Sequence, residues 1–239
     1  MDRIELIRRI FEKTEFQNYL EIGCQRGTSF FPLKAKNKYA VDPVFRISLF
    51  KKLKWIIREP TNRNNKFFEV ESDTFFEKQQ SLLENSEKLD IILVDGLHTF
   101  EAALKDVLNS LKYLNPRGLI IMHDCKPPHK AASLPTKDFP TTEERRKVEG
   151  WTGEWCGDVW KAIVYLRRKF SEDLEVFVLD TDYGLGIVKP KTETIFEGHQ
   201  IDRSLFNEID ALDFEDLVND YSMIELKPEP YYEKVLEMV

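Results

Sequence analysis

Asp90-Ile91-Ile92-Leu93-Val94-Asp95-Gly96-Leu97-His98 is the stretch on which the fold turns. Its aliphatic run shows no polar alternation, as expected of a strand covered on both faces of a parallel sheet. A helix-period stripe follows, made of Phe100, Leu104, Val107, Leu108, Leu111 and Leu114. Asn115-Pro116-Arg117-Gly118 breaks it, and a second apolar run covers 119–122. Strand, helix, strand with short joins predicts a right-handed parallel unit.

Working upstream, residues 3–13 have helical spacing and 19–22 read as a first strand ending in Gly23, with helical sequence from Thr28. Residues 39–41 form a second strand, stopped at Asp42-Pro43 because proline has no N–H for the ladder. A basic, apolar helix is predicted over 44–57, a third strand over 67–70 and a helix over 73–86. Downstream, 125–156 holds four prolines and a Trp151 to Trp155 stretch, a loop long enough to expect a function for it. Asp158 is placed to cap the next helix, and 174–179 and 184–188 are joined closely enough to require an antiparallel pair. The predicted fold is α/β: a Rossmann-like three-layer sandwich whose mostly parallel, seven-stranded sheet is closed by an antiparallel hairpin. Residues 1–190 are expected to form one domain with a lid insertion at 125–156, and 191–239 an acidic helical extension.

The chain has 239 residues and a formal charge of −7. Residues 191–239 carry four basic and 13 acidic side chains, leaving the preceding 190 at +2. A nearly neutral body gives no clustered basic footprint for nucleic acid. No run approaches the roughly 18 apolar residues that span a bilayer, so no membrane partner is expected. Cys24, Cys125 and Cys156 are odd in number and never spaced as a C-x-x-C pair. That excludes a disulfide framework and a thiolate zinc site and fits the cytoplasm.

Open parallel sheets bind ligands beyond the carboxyl ends of their strands. After the first strand comes Glu21-Ile22-Gly23-Cys24-Gln25-Arg26-Gly27, with glycines four apart that let the backbone pass close to a ligand. Nineteen residues after Gly23 stands Asp42, a carboxylate suited to two ribose hydroxyls or, equally, a turn residue before proline. Asp95, His98 and Asp124 fall on adjacent strand ends. The G-x-G-x-x-G dinucleotide spacing is absent, which sets nicotinamide chemistry aside.

Together these residues resemble the class I S-adenosylmethionine-dependent methyltransferases over roughly 15–190. The match sharpens at Asp95-Gly96-Leu97-His98 and His123-Asp124, which look like the branch with D-G-x-H after strand four and H-D or E-D after strand five. That resemblance implies S-adenosylmethionine as cofactor, with Glu21, Gly23 and Gly27 around its methionine part and Asp42 on the ribose. Ser72 and Asp73 would lie beside the adenine, Asp73 being equally readable as a plain helix cap, and Asp95 beside the sulfonium. It implies His98 as the catalytic base, together with Asp95, and a small-molecule acceptor methylated at oxygen. In metal-dependent relatives the Asp95 and Asp124 positions bind magnesium, whereas His123 stands where some of them carry Glu. Trp151 and Trp155 either roof the acceptor pocket or anchor the loop. A cephalosporin-hydroxylase-like reaction on the same fold, or a non-catalytic nucleotide-binding partner protein, stays open beside methyl transfer; a homodimer is compatible with each.

Overall fold

The computed structural model describes residues 1–136, 141–192 and 200–239. Eight strands form one sheet in the order β3-β2-β1-β4-β5-β7-β6-β8. The central strands β1 (Asn18–Ile22), β2 (Asn37–Val41), β3 (Lys66–Phe68), β4 (Leu89–Val94) and β5 (Leu114–Met122) run parallel. β6 (Leu174–Asp180) and β7 (Leu185–Pro190) make the expected hairpin, with β7 antiparallel to both β5 and β6. The hairpin turn puts Asp182 and Tyr183 at φ +47° and +60°, the paired left-handed geometry that matches strand twist.

All six β4 residues are buried, so the continuous apolar run has the predicted cause. Ile92 and Val94 pack on one face, with α3 (Ser72–Lys78), α4 (Gln80–Asn85), α5 (Phe100–Leu111) and α7 (Trp160–Lys169). Ile91 and Leu93 pack on the other, with α1 (Arg3–Lys13) and the C-terminal α10 (Tyr232–Glu237). α2 (Leu49–Arg58) has no buried residue and touches the second core through Trp55, and the short α6 spans Thr142–Lys147. At the lower end of the sheet Asp90 is a clamp: its carboxylate accepts the Gln17 and Asn18 amides and the Asn115 side chain.

The structure corrects four expectations. The sheet has eight strands rather than seven, because β8 (Leu226–Pro228) in the C-terminal extension pairs parallel with β6 and covers an edge that would otherwise be open. The extension is therefore not purely helical, although α8 (Arg203–Asp210) and α9 (Phe214–Asn219) do pack on the core. No helix begins at Thr28: residues 25–32 are successive turns, since Pro32 has no N–H and its ring would meet the carbonyl four residues back. Asp158 does not cap α7 but accepts the Phe100 amide at 2.7 Å, tying the chain just before α7 to the start of α5. No helix among the described residues is long and apolar enough to cross a membrane.

Candidate active site

Parallel strands end at one edge of the sheet, and there the chain lays down Gly23, Asp42, Asp95 and His123 in a row. Each strand end is stitched to its neighbour: the Gly23 amide donates to Val41 O, the Asp95 amide to Ile22 O and the His123 amide to Val94 O. The β1 and β4 ends approach so closely that a Cβ on Gly23 would stand 1.8 Å from the Asp95 carbonyl. With φ at +89° as well, the position is restricted to glycine.

A cavity of about 740 Å³ opens over this edge. Gly23 and Asp42 line one side, Ser72, Asp73 and Asp106 the next, and Asp95, His98 and Asp124 the far end beside Trp155. The Asp42 carboxylate is held by the Gln25 and Val44 amides, each at 2.8 Å, which fixes its position and leaves one lone pair free on each oxygen. Glu21 does not reach the cavity. It is fully buried beneath it, with the Tyr19 hydroxyl at 2.6 Å and the Ser29 hydroxyl at 2.7 Å. Burial pushes its pKa up to about 7, against those two hydrogen bonds. Gly27 is not on the wall either; its φ of +66° turns the chain under Phe31. Trp155 stands over His98 while Trp151 is set away from the cavity. Asp73 lies in the first turn of α3 rather than at its cap, which is Glu71.

The far end is a charge cluster. His98 Nδ1 lies 2.7 Å from the Trp155 carbonyl, so that nitrogen carries the proton and Nε2 is the atom that faces the cavity. Nε2 is 3.3 Å from Asp124 and 3.6 Å from Asp95. Burial disfavours the imidazolium, but the nearby Asp95 and Asp124 carboxylates and the bond to the Trp155 carbonyl outweigh it and raise the His98 pKa. Gly157 presses against the His98 backbone, where a Cβ would stand 1.8 Å from its carbonyl. Residues 155–157 thus hold His98 through the Trp155 carbonyl and the Gly157 backbone.

Sequence reasoning missed the other half of the cluster. Arg3 reaches in from α1, its Nη1 2.9 Å from Asp182 and its Nε 3.4 Å from Asp95. His123 Nδ1 lies 3.0 Å from Asp124 and 3.2 Å from Asp95, so it carries a proton. Burial opposes a second proton, but hydrogen bonds to Asp124, Asp182 and Asp95 prevail and raise the pKa. Its place is the 3.5 Å line from Nε2 to Asp182; the 2.9 Å approach of Arg3 Nη1 to the same nitrogen limits that preference. Burial would raise the Asp95 carboxyl, yet His123, His98 and Arg3 hold it well below the carboxylate range. Asp182 is held down in the same way by His123 and Arg3. Asp106 was also missed: it is buried, and that burial, with Asp73 beside it, pushes its pKa up to about 7 against the opposing pull of Ser72 and Lys105. The one signal for it was the run of small neighbours, Ala102, Ala103 and Ser110, on its face of α5.

Asp95, His98 and Asp124 each bring a ligand atom within 4.8 Å of the others. The Asp95 and Asp124 carboxylates supply the oxygen donors that suit a hard divalent cation, with the His98 Nε2 lone pair left free beside them.

Residues 20–125 match the family model described as a methyltransferase domain. A search of curated proteins gave no match. Among solved structures, the methyltransferase PaMTH1 of Podospora anserina, bound to SAH, is 17% identical with a TM-score of 0.52, covering 80% of each chain. An O-methyltransferase of Bacillus cereus in complex with SAH is 13% identical at 0.51, over 80% of this chain and 82% of that one. TomG of Streptomyces achromogenes, an O-methyltransferase of tomaymycin synthesis in complex with SAM, is 9% identical at 0.53, over 77% and 78%. At these identities the likeness is one of fold.

Proposed function

We propose that the chain, whose residues 20–125 match a methyltransferase-domain model, moves the methyl of S-adenosylmethionine to a hydroxyl oxygen of a small molecule. The observation that carries this is the cavity itself, with Asp42 fixed by two amides at one end and His98 Nε2 beside Asp95 at the other. Asp42 accepts from the two ribose hydroxyls with its remaining lone pairs. Ser72, Asp73 and Asp106 border the adenine, Gly23 lets the methionine part lie against backbone, and Asp95 sits beside the sulfonium. Glu21, lying underneath, orders the loop through Ser29 instead of touching the cofactor.

The methyl is already activated, so the protein aligns donor and acceptor and takes one proton. The acceptor oxygen forms a bond to the methyl carbon while the carbon–sulfur bond breaks and its electron pair goes to sulfur. The hydroxyl proton passes to His98 Nε2, and the Trp155 carbonyl holds the imidazolium in line. A divalent cation of the magnesium class would be held by Asp95 and Asp124 and would acidify the acceptor hydroxyl.

Residues 1–190 would then be the catalytic domain, 125–156 its lid, and the acidic extension a buttress for the sheet edge. Three buried free thiols, Cys24, Cys125 and Cys156, suit the reducing cytoplasm. Thermal denaturation with S-adenosylhomocysteine, beside NADH as a control, tests the cofactor. A rise in Tm with the first and none with the second is expected; no rise at saturating S-adenosylhomocysteine refutes the reading. Release of S-adenosylhomocysteine with a panel of hydroxylated acceptors tests the reaction.

A further inference from the structure

α2 is an amphipathic helix turned the wrong way. Leu49, Phe50, Leu53 and Ile57 form one stripe, and they are 78%, 78%, 60% and 82% exposed. With Val44 just before the helix, this segment supplies five of the eight large apolar side chains that stand out of the described surface. The inner face is held by Trp55, stacked on Phe31 at 6.1 Å, and by Lys52 over the Phe67 ring at 4.0 Å. No α2 residue is buried. A soluble helix normally faces its apolar stripe inward, so something else covers this one.

Charge says what. Residues 44–58 contain Arg46, Lys51, Lys52, Lys54 and Arg58 and no acidic residue, in a chain whose net charge is −7. Lys54 and Arg58 are exposed along one flank of the stripe. Two copies meeting through this face would set cation against cation, whereas an anionic bilayer complements both the stripe and its flank. We infer that α2 lies in the surface of an anionic membrane, its apolar stripe in the acyl boundary and Lys54 and Arg58 at the headgroups. Val44 and Arg46 also line the cavity, so docking sets the cavity mouth beside the lipid surface. The absence of a membrane partner expected from hydropathy applies to spanning helices and not to this one.

Co-sedimentation of the full chain with vesicles tests this without any methyl transfer. The protein should pellet with mixed phosphatidylcholine–phosphatidylserine vesicles and at least about tenfold less with pure phosphatidylcholine or in high salt. Leu53→Asp with Ile57→Asp, and separately Lys54→Glu with Arg58→Glu, should each lose at least about tenfold in binding. Both pairs are exposed, so circular dichroism and the Tm of the free protein should match wild type. Equal binding to neutral vesicles, or no binding to anionic ones, overturns the inference. So does a lipid-free dimer that Leu53→Asp with Ile57→Asp makes monomeric, since a second copy would then be the occupant.

Discussion

Asp42→Ala is the most direct probe of the cofactor pocket, because its size can be worked from the geometry. Asp42 is 7% exposed, and its carboxylate oxygens already accept the Gln25 and Val44 amides at 2.8 Å. Two ribose hydroxyls donating to the remaining lone pairs would make two charge-assisted bonds, each about 1.5–3 kcal/mol. Removing the acceptor and slackening the loop should cost about 3 kcal/mol of binding, roughly a 150-fold rise in Kd. At a ligand concentration of about 100 times the wild-type Kd, S-adenosylhomocysteine stabilises the native state by about 2.7 kcal/mol. In a chain of this size that is a Tm rise of about 5–10 °C. At the same ligand concentration the variant keeps only about 0.3 kcal/mol, a rise of about 1 °C. The free variant also melts lower, because two amides lose their acceptor, so each protein is compared with its own ligand-free Tm. Calorimetric titration gives the two Kd values directly. A variant that retains half of the wild-type rise, or a Kd within about fivefold of wild type, would remove Asp42 from the ribose.

Two further outcomes concern stability. Arg3→Met and Asp182→Asn both break the partly buried Arg3–Asp182 pair, 24% and 14% exposed, and each also removes a second contact, to Asp95 and to His123 respectively. Each should cost about 2–3 kcal/mol, less than a fully buried pair, while the double variant should cost clearly less than the sum in urea unfolding; strict additivity would show the pair is not coupled. Asp106 has its folded-state pKa raised by burial to about 7, above an unfolded value near about 3.9. Its stabilising proton is fully bound below about pH 4 and lost as pH rises through about 7. Asp106→Asn should therefore flatten the fall in stability over that window and raise the Tm at alkaline pH. Glu21, pushed up in the same way, keeps part of the slope in the variant, and an unchanged slope would mean Asp106 is solvated.

The strand framework was legible where β4 and residues 119–122 of β5 are covered on both faces, because composition there records burial; Leu114 to Gly118 read as a helix end and a break although they open β5, since Pro116 and Arg117 are exposed. The edge strand β8 was not: Leu226-Lys227-Pro228 is too short and mixed to carry a period, and it pairs only because Glu225 turns the chain at φ +48°. Within the site, Asp42, Asp95, His98 and Asp124 were readable from one rule, that parallel strands end together. Arg3 and Asp182 obey no such rule, since one starts an amphipathic helix and the other occupies a turn that any residue tolerating a positive φ could fill. Glu21 followed the rule in sequence but not in space. It lies one residue inside the strand end, where alternation turns its side chain down toward the α1 layer.

The charge cluster at the far end has a consequence for the cofactor itself. Asp95 already faces His98 and His123 and the Arg3 guanidinium, and the proposed sulfonium would add another positive charge there. Methyl transfer moves that charge: sulfur becomes a neutral thioether as His98 takes the acceptor's proton. A protonated His98 and a bound sulfonium are therefore alternatives beside one carboxylate, and the reactive complex needs the imidazole neutral. Because the His98 pKa is raised above its usual value near 6.5, the imidazolium dominates at and below that pH and the neutral ring appears only above it. S-adenosylmethionine and S-adenosylhomocysteine share the same amine and carboxylate, so those titrations cancel in the ratio of their Kd values. That ratio should rise by roughly tenfold as pH falls through the His98 midpoint, the size of about 1.4 kcal/mol of charge repulsion. In His98→Gln it should be flat. A flat ratio in the wild type, or an equal rise in the variant, would separate His98 from the sulfonium and with it the proposed path of the proton.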